Sequence, residues 1–216
     1  MKYKRLSFIK SLINKDEFVL DVGTDHALIP IFLFKDKITQ NIIASDINEE
    51  PLKMAQKNII KNNLDKKIKI IVSNGIEKID VEKIDVIVIA GMGGDKISEI
   101  ISQKKFNGRY ILHPTTNFEL VRERLSKINF YIKNEWIIKE RKIFNLIIEA
   151  IPGTMNLSKK ELFMGPSLIY KKDKEIIDYY KYNLKIFNDN SIKSKNINFK
   201  KNEREWLKDK LWNEKN

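Results

Sequence analysis

The 216-residue chain contains no cysteine. Disulfides and thiolate metal sites are therefore excluded. Its two histidines, His26 and His113, lie far apart, so a zinc site is not expected and no metal is assigned. Glycine and proline are scarce, at 8 and 5 residues, and no low-complexity linker or internal repeat is present. No apolar run is long enough to span a bilayer. Met1-Lys2-Tyr3-Lys4-Arg5 leads into no signal-type apolar region, so the expectation is a cytoplasmic protein with no membrane partner. Acid is absent from the first fifteen residues, which carry Lys2, Lys4, Arg5, Lys10 and Lys15.

Hydrophobic residues make up 42% of the chain, enough for a real core. The net charge is +12, half of it carried by the shorter stretch from residue 151 to 216. A polyanionic partner is the natural inference; the alternative is lysine spread over every solvated face.

Phe18 to Ala27 organises the rest. A short apolar run ends in Asp21, Gly23 follows, and an apolar helical pattern starts at Ala27. This reads as a buried strand, a tight turn and a helix, the shape of a nucleotide-binding first turn. The usual glycines are missing: Asp25 and Ala27 stand where a Gly-x-Gly-x-Gly loop would continue. Thr24 or Asp25 is expected to cap the helix, which runs to about Phe34.

Ahead of that strand, Leu6, Ile9, Leu12 and Ile13 mark an amphipathic helix over 3–13 that covers the sheet's edge. Further strands are expected at 42–46, 68–72, 84–90 and 109–113, the last stopped by Pro114. Helices follow at about 48–60, capped by Asn48, then at 95–104 and 117–128. Strands at 130–138 and 143–151 should form an antiparallel hairpin at one edge. The expected fold class is α/β, a doubly wound Rossmann-like class I methyltransferase sheet with a terminal antiparallel hairpin. Pro152-Gly153 marks a domain boundary, separating a catalytic domain at 1–153 from a C-terminal helical domain at 154–216. In the latter, helices at 158–164, 168–187 and 199–212 are expected, the last two forming an antiparallel hairpin around Asn188-Asp189-Asn190.

Four strand ends carry polar or glycine features, on the side of an open sheet where ligands bind. Asp21 with Gly23 can hold the amino-acid end of a nucleoside, and Asp46 can accept both ribose hydroxyls. Asn74 and Gly75 follow the third strand, where an amide could read an adenine edge. Ala90-Gly91-Met92-Gly93-Gly94 closes the fourth as an open floor. Taken singly, each acid is as readily a cap and Asn74-Gly75 simply a turn.

Asp21-Val22-Gly23-Thr24-Asp25-His26-Ala27-Leu28-Ile29-Pro30 together with Ala90-Gly91-Met92-Gly93-Gly94 resembles the TrmK family of bacterial tRNA (adenine-22-N1)-methyltransferases. The similarity runs through Pro152-Gly153 and more loosely into a helical tail. One departure is His113, which stands where the family usually has glutamine. The resemblance implies S-adenosyl-L-methionine as cofactor and tRNA as partner, in a monomer or weak homodimer. The donor is assigned to Asp21, Gly23, Thr24, His26, Asp46, Ile47, Asn48, Asn74, Gly75, Ala90, Gly91 and Met92. Asp25, His26, His113 and Asn117 are the catalytic candidates, with Asp25 facing the methyl and His113 and Asn117 on the rim. Basic residues of the first helix and the tail would hold the RNA backbone. Competing readings are a methyltransferase on another RNA, a protein or a small molecule, a dinucleotide dehydrogenase, or a non-catalytic RNA-binding relative. The absent Gly-x-Gly-x-x-Gly and the terminal hairpin oppose the dehydrogenase.

Overall fold

Apolar runs set the strands and apolar stripes the helices, in a computed structural model that describes residues 4–196 and 198–213. The chain opens with α1 (Lys4–Ser11), then β1 (Val19–Val22), α2 (Leu28–Lys35), β2 (Ile42–Asp46), α3 (Glu49–Lys61) and β3 (Lys69–Val72). It continues through β4 (Val86–Met92), α4 (Gly94–Ile100), β5 (Arg109–Pro114), α5 (Phe118–Lys127) and the long pair β6 (Phe130–Glu140) and β7 (Ile143–Pro152). Three helices close it: α6 (Lys159–Met164), α7 (Lys174–Lys193) and α8 (Lys201–Asn213).

The strands form one sheet in the order β3-β2-β1-β4-β5-β7-β6. The first five are parallel, and β7 runs antiparallel to both β5 and β6. This is the Rossmann-like methyltransferase arrangement with the terminal hairpin expected from sequence. From β1 the chain moves outward through β2 to β3, then returns to the other side of β1 as β4. The switch point therefore lies between β1 and β4, with Asp21 beside Val88 in register.

Alternation along the strands separates two cores. Val19, Val86, Val88, Ile111 and Ile147 face α1, α2 and α3. Leu20, Ile87, Ile89, Leu112 and Ile148 face α4, α5 and the C-terminal helices. Because β1, β4 and β5 are covered on both faces, they read as almost unbroken apolar runs. α1 lies on the first face towards the β6 edge, where Phe8 meets Trp136 edge-on at 5.3 Å between centroids.

Several boundaries differ from the sequence reading. β4 is shifted to 86–92, and Asp85 is held just outside it, accepting the Phe18 N–H at 2.8 Å. Pro114 does not stop β5 but is its last residue, at an irregularity opposite Met92 where its missing N–H is tolerated. α4 ends at Ile100, before Lys104.

The largest change is in the tail. α7 begins at 174, not 168, because residues 165–173 are wrapped onto β6. There the Ser167 N–H donates to Glu135 Oε2 at 3.2 Å and Leu168 is fully buried. Asn188-Asp189-Asn190, expected as a loop, lies within α7 instead, with Asp189 and Asn190 on its exposed side. α6 does start as expected, from a capping box between Ser158 and Glu161. The tail packs on the sheet as well as on itself. Ile176, Tyr180 and Leu207 share one apolar cluster with the β4 and β5 side chains, and Tyr180 donates to the Met164 carbonyl at 2.8 Å. Beneath it, Arg122 Nε donates to Glu135 at 2.8 Å, with both side chains buried. Arg122 Nη1 also donates to the carbonyls of Leu162 and Phe163.

Candidate active site

The turn after β1 is held from beneath. Gly23 N–H and Thr24 N–H both donate to the Ser45 carbonyl, at 2.8 and 3.0 Å, tying the turn to β2. Gly23 adopts φ +77°, and a Cβ built there would lie 2.0 Å from Met92 Cε. Only glycine meets both conditions without strain. The Thr24 hydroxyl donates to Asp21 Oδ2 at 2.6 Å. Asp21 is buried; that burial pushes its carboxyl up to about 6, the nearby Asp46 charge adding to the rise and the Thr24 bond opposing it.

Neither Thr24 nor Asp25 caps α2. The N-cap is Ala27, in the left-handed region at φ 51° with no side-chain cap. The left-handed residue turns the chain into the helix, and Thr24 is already spent on Asp21. Asp25 is therefore free at the mouth of the turn. It is exposed, and His26 Nε2 lies 3.2 Å from its Oδ2. The His26 carbonyl accepts from Asn58 Nδ2 at 3.1 Å, fixing this segment against α3.

At the end of β2, Asp46 Oδ1 accepts the Asn48 N–H at 2.9 Å. Asn48 is the N-cap residue of α3, as expected, but its side chain makes no capping bond. Ile47, between them, is half exposed. After β3, the Asn74 amide is engaged on both sides: Nδ2 donates to Glu77 at 2.9 Å and Oδ1 accepts from Lys96 at 3.3 Å. Gly75 follows at φ +58° against the Gln103 side chain.

The β4 end carries Ala90, then Gly91 at φ +86°, then Met92. The Met92 carbonyl accepts from Thr115, backbone at 2.8 Å and hydroxyl at 3.1 Å. A Cβ on Gly94 would fall 2.5 Å from the carbonyl oxygens of both Thr116 and Asn117. That close approach is the physical reason for the second glycine of the pair. Asn117 is left-handed, with φ 51°, and its amide reaches the Asp95 carboxylate.

His113 departs from its expected place on the rim. Its ring is buried, with Nδ1 3.2 Å from the Pro114 carbonyl, and the rim is formed by the exposed residues Thr115 to Asn117. Burial lowers its pKa to about 4, with the Arg5 charge adding to the effect, so the imidazole is neutral at neutral pH.

A cavity of about 170 Å³ lies over Asp21, Gly23, Asp25, His26 and Ala90, with Arg5 from α1 at its margin. Its chemistry fits the cationic amino-acid tail of a nucleoside, with a buried acid and a glycine allowing close approach. Asp46 and the exposed Ile47 stand outside this lining, at the neighbouring strand end. Arg5, one of the first-helix bases expected to hold the RNA backbone, also lines this cavity. Its only signal was a base at the start of an amphipathic helix. Among the described residues no group of three His, Asp or Glu side chains could hold a metal.

Residues 2–148 match the family model described as a methyltransferase domain. A solved structure of TrmK from M. capricolum, in complex with S-adenosyl-homocysteine, superposes with a TM-score of 0.83 at 30% identity, covering 96% of each chain. This chain belongs to the TrmK family. Family members include the tRNA (adenine(22)-N(1))-methyltransferase of Bacillus subtilis, 29% identical over 79% of this chain and 76% of that one. A Mycoplasma genitalium protein named provisionally as a tRNA methyltransferase is 32% identical over 85% of this chain and 87% of its own. Each of the family's two glycine motifs contains a position where a Cβ would collide, Gly23 against the Met92 methyl and Gly94 against backbone carbonyls. No helix among the described residues is long and apolar enough to cross a membrane.

Proposed function

We propose that this chain transfers the methyl group of S-adenosyl-L-methionine to N1 of adenine 22 in tRNA. The observation that carries the reading is the pairing, at one switch point, of a buried acid under a glycine turn with an exposed acid–histidine pair at its mouth. Family membership supplies the base and the RNA.

Bound S-adenosyl-L-methionine supplies an electrophilic methyl on a sulfonium. Asp21, as carboxylate, would hold the donor's ammonium, and Asp46 would accept from its ribose hydroxyls. Ile47 would pack on the adenine, with Asn48, Asn74 and Gly75 bordering it. Gly23, Thr24, His26, Ala90, Gly91 and Met92 would wall the methionyl end. Adenine N1 has a lone pair at neutral pH, so the protein chiefly aligns it with the methyl and excludes water. Methylation makes the base cationic. Asp25, oriented by His26, stabilises that charge or takes a proton from the exocyclic amine. Asn117 stands on the rim beside the incoming base. His113, buried below, supports the rim through the Pro114 carbonyl.

The stretch from residue 154 to 216 is assigned to tRNA binding, through the lysines on the outer faces of α7 and α8. N1 of a paired or stacked base is covered, so the adenine must be exposed or flipped. The deciding experiment is tritiated methyl transfer to unmodified total tRNA, with mapping of the labelled nucleotide. Label at N1 of adenine 22 is the expected result. Label at another nucleotide, or none in the presence of donor and tRNA, overturns the assignment.

A further inference from the structure

A cleft of about 950 Å³ opens beside the donor turn, between α1, the start of α2 and the tip of the β6–β7 hairpin. Four of its lining residues are cations, Lys4, Arg5, Lys139 and Arg141, against one acid, Glu140. Glu140 is largely committed, since one oxygen accepts the Lys4 N–H at 2.8 Å. Arg5 reaches its other oxygen only at 3.5 Å, and Arg5 Nε is buried with no hydrogen-bond partner. Arg141 sits exposed at the hairpin tip, in the left-handed region at φ 56°, and forms no ion pair among the described residues. Ile143 adds an apolar surface that is 66% exposed.

Arg5, Leu6, His26 and Leu28 line both this cleft and the smaller cavity over Asp21 and Gly23. Whatever lies in the cleft therefore runs up to the point of methyl transfer. One donor carboxylate would need one cation and a fraction of this volume. Several cations along an open channel with an apolar wall match a chain of phosphates carrying sugars and bases.

We propose that this cleft is the channel for the substrate RNA strand, with phosphates held by Arg5, Lys139 and Arg141 and a sugar or base packed on Ile143. The hairpin tip is then a substrate-gripping element, separate from the C-terminal helices. The proposal rests on the tRNA-methyltransferase reading above.

The test is the double variant Lys139→Ala with Arg141→Asn, asparagine being chosen because it tolerates the left-handed backbone. The control is Lys66→Ala with Lys67→Ala, which removes the same charge from the loop before β3, at the opposite end of the strands. tRNA affinity is measured against salt concentration, with S-adenosyl-homocysteine affinity and melting temperature alongside. In the tip variant, tRNA affinity should fall about tenfold and the log–log salt slope should become shallower by about 1.4, the loss of two single-strand phosphate contacts. Binding of S-adenosyl-homocysteine and melting should match the unaltered chain, and the control should move neither the affinity nor the slope comparably. Arg5→Gln should likewise weaken tRNA and spare S-adenosyl-homocysteine; the reverse pattern removes Arg5 from the RNA channel. If the unaltered chain methylates tRNA while the tip variant keeps affinity and slope, the channel is overturned and the function stands. If the unaltered chain binds S-adenosyl-homocysteine but methylates no tRNA, the functional reading fails and the channel falls with it.

Discussion

The Met92 methyl group lies directly over the Gly23 backbone, in the space a side chain at position 23 would need. Two strand ends at the switch point are thus matched to one another, a missing Cβ on one side and a flexible thioether on the other. Gly23→Ala should impose two separable costs. The φ of +77° costs about 1–2 kcal/mol for any L-residue. The collision is with the end of a flexible side chain, so Met92→Ala added to Gly23→Ala should recover S-adenosyl-homocysteine binding but only part of the stability. Urea unfolding and calorimetry on the three variants separate these, and full recovery of stability would show that the strain is steric alone.

Asp21 should make donor binding pH-dependent. Its folded-state pKa is raised by burial to about 6 from 3.8. The folded state therefore holds the proton more tightly than the unfolded chain. This group's stabilising contribution is full below about pH 3.8 and is lost as pH rises through about 6. Donor affinity runs the other way, since a cationic ammonium needs the ionised carboxylate. Calorimetry with S-adenosyl-homocysteine should show affinity weakening as pH falls below about 6. Asp21→Asn should flatten that profile; an unchanged profile in the variant would assign the dependence elsewhere.

Asp46→Ala should weaken S-adenosyl-homocysteine binding by about 1–3 kcal/mol, the scale of a lost charged hydrogen bond. Removing this carboxylate should also relax Asp21, because its charge contributes to the raised Asp21 pKa. Unchanged affinity in a folded variant would take the ribose away from Asp46.

Asp25→Asn should keep the fold and most donor affinity yet lose most methyl transfer. The structure leaves this side chain exposed, with His26 at 3.2 Å and no helix to cap. Single-turnover rates across neutral pH are the measurement, and near-normal rates would leave Asp25 without a chemical role.

Arg122 and Glu135 are 1% and 0% exposed. Breaking a buried pair leaves an uncompensated charge, so Arg122→Ala should cost about 3–5 kcal/mol. Arg122→Met with Glu135→Leu should be milder than either single change in urea unfolding.

This ion pair also marks where sequence reading stops. The β-α alternation, the hairpin and the glycine motifs were legible because each is written in local periodicity or spacing. Arg122 reads as one more polar residue on an amphipathic helix. Its burial depends on α6 folding back over it, a contact between residues 40 apart. Contacts to its partner Glu135 also moved the start of α7, since Ser167 and Lys171 satisfy their polar groups on β6 and not along a helix. At the site, the acids and glycines were readable one strand end at a time. That Thr24 is spent on Asp21, and that His113 lies beneath the rim, follows from packing between strands.

The apolar cluster shared by β4, β5, α7 and α8 has a consequence for cooperativity. Elements that contribute to one cluster gain and lose their burial together, so heat should melt the C-terminal helices and the sheet in a single transition. The tail surface proposed to hold RNA and the proposed methyl-transfer site would then belong to one folding unit. A loosening anywhere in that cluster would be felt at both, as a joint loss of grip and turnover with no residue of the active site altered.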